Sequence, residues 1–485
     1  MRAYFQKHRI SFSLLFSLLY LFYFLYESSW LATTTYHGIY IYFVWVFLGV
    51  LFAIPVLFWF QAIFAIQSSI DFYLICFSFP LIEWIRLYFL CGFPFCAIGE
   101  KLASTQLFSS ITRHLGIYGC SFFCVLFLLS ILLRNKKGLI GGFFSIISLF
   151  LFDRFMGQET FSEKIVKVQI VQPDLKIEEK TPLVEFQKTY ISKRRQLELA
   201  FQGLKGIEKG SLDLLIFPEG AFPGYLDQIY IHGLHFANIL KDILQLNVEA
   251  QKMPLSLLQV MQTLSFELDI PVLFGALRYD EKKEGVFNSL VCVDGFSNPQ
   301  IYDKRILLPF GEYIPLKIFN RLAQKYGITG SFERGEEKVI NIRGCRVLPS
   351  VCYEDCFPLL SLKQNPTDVD FIVNVTNDGW FLPSKLPKNH AHLAKLRAIE
   401  FGIPILRGCE NAQSGIGFND GTYLETQTVV FQLDKKKTFY PVFQERWLIL
   451  GFLICFIYKI YQKFLINHLG LWKKNIKIKF SQVIK

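Results

Sequence analysis

Between residues 28 and 70 the sequence has no Asp, Glu, Lys or Arg. A gap in charge that long excludes a solvated, disordered segment there. Charge is scarce overall, at 19% against 52% hydrophobic residues, and Phe alone occurs 51 times. That balance excludes a collagen-like or disordered chain and argues against an ordinary cytosolic enzyme. Internal repeats, low-complexity linkers, interleaved basic-aromatic grooves and nucleic-acid motifs are also missing. The formal net charge of +11 is therefore read as topology signals beside apolar runs, with no nucleic-acid partner. The eleven cysteines make no disulfide framework, since Cys76, Cys91, Cys96, Cys120, Cys124 and Cys455 lie in or beside apolar runs, where Cys acts as a small apolar residue. Cys352 and Cys356 are spaced for one helix face, but no second ligand pair completes a zinc site, and His390-Ala391-His392 is equally incomplete. No metal is expected.

What the chain does have falls into two kinds. Apolar runs approaching or exceeding the ~20 residues a bilayer core needs cover 10–26, 39–67 (with Pro55 as a kink), 71–92, 115–133 and 139–152, and a last one covers 447–466. Lys459 and Lys463 sit towards one end of the last run, where long side chains reach the interface. The first run follows a basic start in the manner of a signal peptide. Glu27-Ser28-Ser29-Trp30 offers no small-residue cleavage site, so a retained anchor is expected. Lys and Arg mark cytoplasmic loops. The basic start, Arg134-Asn135-Lys136-Lys137 and the tail from Lys473-Lys474 then share one side, with five spans before the polar region and one after it. That places the polar region outside the cytoplasm. The expected division is 1–160 for the membrane domain, 161–440 for the polar domain, and 441–485 for the last span and a basic tail.

In the polar region, short β-rich runs at 165–171, 212–217, 272–275, 290–293, 346–351 and 371–375 alternate with helical patterns at 190–204 and 391–401, the latter ending at Gly402. Such alternation predicts a layered α/β domain. Chemistry in such folds gathers at strand ends. Glu219 follows Leu214-Leu215-Ile216-Phe217-Pro218, Cys352 follows Leu348-Pro349-Ser350-Val351, and Lys304 opens a run ending Pro309-Phe310-Gly311-Glu312. Together they form a set fit for acyl transfer. A thiolate is the nucleophile, a carboxylate in a dry pocket moves its proton, and an ammonium stabilises thiolate and oxyanion. Spacing alone does not make the three meet. Glu312 and Glu354 are expected as buried partners of Lys304, and Glu83 and Arg86 as a pair across one helical turn. Residues 229–261, including Ile239, Leu240 and Ile243, read either as an amphipathic arm on lipid or as a helix packed on the domain. Residues 319–334 read as a lid or a surface loop. Trp380 and Phe93 read as packing residues.

Phe217-Pro218-Glu219, Tyr302-Asp303-Lys304 with Pro309-Phe310-Gly311-Glu312, and Cys352-Tyr353-Glu354 occur in the order of the nitrilase (carbon–nitrogen hydrolase) superfamily. Within it the chain resembles the apolipoprotein N-acyltransferase family. Glu83-Trp84-Ile85-Arg86 with Gly92-Phe93-Pro94-Phe95, Phe287-Asn288-Ser289, Asn377-Asp378-Gly379-Trp380-Phe381 and Leu396-Arg397-Ala398-Ile399-Glu400 carry that likeness. The resemblance implies a helical membrane bundle joined to an αββα sandwich that faces the periplasm from the bacterial inner membrane, working without cofactor. It implies Glu219 as general base, Lys304 as transition-state stabiliser and Cys352 as nucleophile. Glu312 and Glu354 would support the site, and Tyr353 and Asn288 would line it. The acyl donor would be a phospholipid, typically phosphatidylethanolamine, and the acceptor the N-terminal amine of a diacylated apolipoprotein.

Both substrates being lipids accounts for the membrane part. Extracting an acyl chain into water costs roughly 0.8 kcal/mol per CH₂. The chain departs from the family in having about two spans fewer, in lacking the Trp that commonly follows the first strand, in Phe95 where Trp is usual, and in Glu410-Asn411-Ala412 where Asn-Asn-Gly is usual. Two other readings compete: a membrane-tethered amidase acting on a small amide, and a scaffold carrying a degenerate hydrolase domain.

Overall fold

The computed structural model describes residues 8–483, apart from 34, 37, 90–91, 157–158, 161–162, 181–188, 250–251, 315–331 and 359–367. Six long apolar helices occupy the expected places: Arg9–Glu27, Tyr40–Ile63, Ser69–Ile85, Gln106–Leu132, Lys136–Met156 and Arg446–Val483. Among the described residues five of them are long and apolar enough to cross a membrane. The exception is Ser69–Ile85, at 17 residues. It starts at a capping box, in which Ser68 accepts from the Asp71 N–H and Asp71 accepts from that of Ser68. The expected run to residue 92 stops seven residues early: the chain turns after Ile85, where the Tyr88 and Phe89 N–H groups close back on the Ile85 carbonyl, and Gly92 further on stands at φ 75°. Pro55 sits inside its helix without ending it. Large apolar side chains such as Phe22, Phe43, Phe143, Phe155 and Ile457 stand more than half exposed on the helices. That is an outer surface suited to hydrocarbon and costly in water.

Three details of the bundle differ from the sequence reading. Glu83 and Arg86 do not bond to each other through their charged ends. The Glu83 carboxylate takes the Ile98 N–H at 2.8 Å, while Arg86 donates to the Tyr20 hydroxyl at 3.2 Å. Lys459, expected to snorkel, lies 2.7 Å from Asp71 of a neighbouring helix. The helix expected from residue 115 begins at Gln106 and is interrupted at Gly116 (φ 68°, ψ −173°). A Cβ there would lie 2.3 Å from the Tyr440 ring, so only glycine lets this backbone and the ring approach so closely.

Two six-stranded sheets follow. The first runs Thr428–Gln432, Ile165–Ile170, Leu214–Phe217, Val272–Asp280, Gly285–Val293, Gln300–Asp303. The second runs Tyr423–Glu425, Gly415–Gly417, Ile405–Glu410, Phe371–Asn377, Cys345–Val351, Ile340–Ile342. Three central strands in each are parallel and the outer ones antiparallel. Strand period sorts the side chains into layers. Leu214, Ile216, Val347, Val373 and Leu406 meet between the sheets. Leu215 and Phe217 turn to the helices Lys193–Gln202, Gly233–Leu244 and Leu257–Leu268 on one outer face. Leu348, Ile372 and Ile405 turn to the helix Leu386–Phe401 on the other. This is the expected αββα sandwich.

Several predicted strands prove longer than read, and Ile405–Glu410 was not read at all, because strands buried on both faces lack polar alternation. Ile239 and Leu240 are buried in the core beneath the first outer layer and Ile243 packs against it, so this helix belongs to the domain rather than forming a lipid-touching arm. Most of the expected lid at 319–334 lies outside the described residues.

The two parts share one core. Leu393, Leu396 and Ile399 of the last sandwich helix cluster with Phe24, Phe52, Phe93 and Tyr118 of the bundle. Polar bonds cross the same seam, from Arg113 to the Asn419 carbonyl (2.9 Å) and from Tyr353 to the Gly92 carbonyl (3.2 Å).

Candidate active site

Three loops at strand ends bring Glu219, Lys304 and Cys352 to one place. Glu219 follows the strand Leu214–Phe217. The backbone of Gly275 on the adjacent strand lies so close that a Cβ there would sit 2.7 Å from the Glu219 Cα. Lys304 follows Gln300–Asp303, and its N–H donates to the Asn288 carbonyl at 2.8 Å. Cys352 follows Cys345–Val351 at φ 50°, a left-handed conformation that a side chain adopts under constraint. Its carbonyl accepts from Asn374 Nδ2 at 3.1 Å and lies 3.3 Å from His390 Nε2.

A single nitrogen ties the acids together. Asn288 Nδ2 donates to Glu219 (2.6 Å) and to Glu312 (2.8 Å), and Glu312 takes the Lys304 ammonium at 2.8 Å. The other Glu312 oxygen accepts the Leu308 N–H at 2.6 Å. Lys304 is 1% exposed, so this pairing decides its state. Burial pulls its pKa down, but the charges of Glu312, Cys352 and Glu219 outweigh it and leave a firm ammonium. Burial pushes the Glu219 carboxyl up and nearby Glu312 adds to that, while Lys304, Asn288 and the Cys352 thiol pull the other way. Burial also raises the Cys352 thiol, with Glu219 adding and Lys304 and His390 opposing. The half-buried thiol therefore rests protonated, facing a carboxyl group that can exchange its proton and an ammonium that favours the anion.

Glu354 departs from its expected role. It touches the main chain instead of Lys304, accepting the N–H groups of Arg305 (2.7 Å), Ile306 (3.1 Å) and Val351 (2.8 Å) and the Tyr302 hydroxyl. It locks the Lys304 and Cys352 loops to each other. Tyr353 packs on Phe95 and Phe357 under the bundle. Phe95 fills the usual Trp position against Trp30 and Phe93. Trp380, read as packing, is 40% exposed and meets Tyr36 edge-on. Where the family pattern departs, buried Glu410 pairs with Lys180 at 3.1 Å and accepts the Leu175 N–H.

The sequence reading passed over a second polar layer behind Cys352. His390 is bonded at Nδ1 to Asp378 (2.7 Å) and at Nε2 to Asp355 (2.6 Å), and Arg407 Nη2 donates to Asp378 at 2.7 Å. Donor atoms of Asp355, Cys356 and His390 lie within 4.8 Å of one another. With both ring nitrogens committed to carboxylates, the imidazole has no lone pair to offer a cation. In the sequence His390 stood out only in the incomplete pair His390-Ala391-His392 and Asp378 only in the motif Asn377-Asp378-Gly379-Trp380-Phe381, with nothing to tie the two together.

Residues 167–431 match the family profile described as carbon–nitrogen hydrolase, and residues 3–130 match the one described as the apolipoprotein N-acyltransferase N-terminal domain. Similar proteins include the apolipoprotein N-acyltransferase of Chlamydia caviae, 29% identical over 79% of this chain and 72% of that protein. That of Rickettsia prowazekii is 26% identical over 70% of this chain and 64% of the relative, and that of Allorhizobium ampelinum 27% identical over 70% and 61%. The chain thus spans less than two thirds of the length of the last two. A carbon–nitrogen hydrolase superfamily protein of Xanthomonas campestris aligns with 60% of this chain and 97% of its own, at TM-score 0.36 and 19% identity.

Proposed function

We propose that this chain, which belongs to the carbon–nitrogen hydrolase family, is an apolipoprotein N-acyltransferase of the bacterial inner membrane with its sandwich facing the periplasm. The observation that carries the reading is the meeting of thiol, ammonium and carboxyl groups against a bundle of apolar helices. An amidase acting on a small soluble substrate needs those three groups but not the apolar helices. The joint match of its two parts to the two family profiles supports the same choice.

In the first step Glu219, as carboxylate, takes the Cys352 proton while the sulfur attacks an ester carbonyl of a phospholipid such as phosphatidylethanolamine. Lys304 offsets the charge on the thiolate and on the oxyanion. The C–S bond forms, the ester C–O bond breaks, and the lysophospholipid alkoxide leaves with the proton from Glu219. In the second step the α-amine of a diacylglyceryl-cysteine attacks the thioester. Its proton passes to Glu219, the C–S bond breaks, and the sulfur recovers a proton. Asn288 and Glu312 hold base and ammonium in place, Glu354 holds the loops, and Tyr353 lines the lipid side. No metal or cofactor enters.

Intact-protein mass spectrometry tests this. Incubation with phospholipid alone is expected to add one acyl mass at Cys352, and later addition of a diacylated lipopeptide to remove it and yield triacylated product. Cys352→Ala is expected to show neither. An active preparation that never carries the acyl mass would contradict the two-step route, and hydrolysis of small amides without lipopeptide acylation would favour the amidase.

A further inference from the structure

The layer behind Cys352 is built around a single imidazole that the acyl-transfer steps do not use. His390, 3% exposed, projects from the helix Leu386–Phe401 between two aspartates on other elements. Ionised carboxylates only accept hydrogen bonds, and a neutral imidazole donates only one. Contacts of 2.7 and 2.6 Å from its two nitrogens to Asp378 and Asp355 therefore require a proton on each. The charges then balance, with two carboxylates against His390 and Arg407, which lies 2.7 Å from Asp378 and 3.9 Å from Asp355. A buried cluster with no net charge avoids the cost of an uncompensated ion. The Nε2 that faces Asp355 also lies 3.3 Å from the Cys352 carbonyl.

Resting on the acyl-transfer reading, we propose that His390 is a positioning residue, which as an imidazolium grips the main chain of Cys352 and lends positive charge to the thiolate formed there. Two observations converge on it. Cys352 holds a left-handed φ of 50°, and its carbonyl is fixed from two sides, by Asn374 and by His390. The titratable groups facing the ring are Asp355, Cys356, Asp378 and Arg407, with Cys352 and Cys409 beside the cluster. The acids outweigh burial and keep the ring charged, and its charge favours the Cys352 anion alongside that of Lys304.

The test is the pH dependence of Cys352 alkylation by iodoacetamide in the full-length protein, followed by peptide mass. It involves no lipid, so a wrong substrate assignment would leave it intact. His390→Gln keeps a donor but loses the charge. Its alkylation midpoint is expected about one pH unit higher, and its rate below the midpoint about tenfold lower, with a lowered melting temperature because two buried carboxylates then face Arg407 alone. A midpoint equal to that of the unaltered protein would overturn the role and leave acyl transfer standing. ¹⁵N-histidine spectra of the unaltered protein decide the matter if the variant fails to fold. Both ring nitrogens of His390 are expected to stay protonated between about pH 6 and 9, and loss of either proton in that window would overturn the proposal.

Discussion

Asn288 holds Glu219 and Glu312 with the same nitrogen, at 2.6 and 2.8 Å. A hydrogen bond donated to a carboxylate favours its charged form, so removing the donor raises the Glu219 pKa. In the proposed first step Glu219 must be ionised to take the thiol proton. Activity is therefore lost as pH falls through that pKa, and Asn288→Ala should lose it at a higher pH than the unaltered protein does. The rate of Cys352 thioester formation across pH measures this; an acidic limb that stays put or moves down would show that Asn288 does not tune the base.

Lys304 and Glu312 are a buried pair at 2.8 Å, 1% and 10% exposed at their side chains. Removing one charge strands the other, at a cost of about 3–5 kcal/mol, whereas replacing both by apolar groups is often near neutral. Glu312→Ala should thus lower thermal stability far more than Lys304→Met with Glu312→Leu. The double variant should nevertheless form no thioester. Equal melting temperatures for the two variants would refute the buried-pair account.

Gly275 faces the Glu219 backbone across adjacent strands. A Cβ only 2.7 Å from Glu219 Cα has to push the loop away, and overpacking of this kind costs about 1–3 kcal/mol. Gly275→Ala should slow thioester formation by at least about tenfold, since small misplacements of reacting groups are expensive. Retained activity with a lowered melting temperature would mean that the loop adapts.

Glu400 lies fully buried beside Arg397 at 3.0 Å. Burial drives its pKa up to about 8 from an ordinary 4.5, with Glu445 adding and Arg397 opposing. A carboxyl whose folded pKa is raised contributes stability that is complete below the unfolded value and lost as pH rises through the folded one. Melting temperature should therefore decline between pH 4.5 and about 8, and Glu400→Gln should flatten the decline. A variant with the same slope would place the titration elsewhere.

Reading the chain without its fold gave much of the architecture. Runs lacking charge marked the helices near Phe43 and Phe52, and the Leu214–Phe217 and Phe371–Asn377 runs announced buried strands. Glu219, Lys304, Cys352 and Glu312 were each legible from short motifs. Less legible were the ends of elements, such as the early stop at Ile85. The apolar pattern runs on past Ile85, while the backbone there already turns back on the Ile85 carbonyl.

Partnerships were not legible at all. Glu354 was expected on Lys304 and instead binds three main-chain N–H groups. His390 lies 38 residues from Cys352 in the chain, yet within 3.3 Å of its carbonyl. Sequence on its own determined which segments leave water and which side chains have reactive chemistry, because hydrophobic free energy and bond-making capacity belong to the residue. Only tertiary structure decided which charges face each other, because Coulomb attraction and burial depend on distances and surroundings that chain order does not contain.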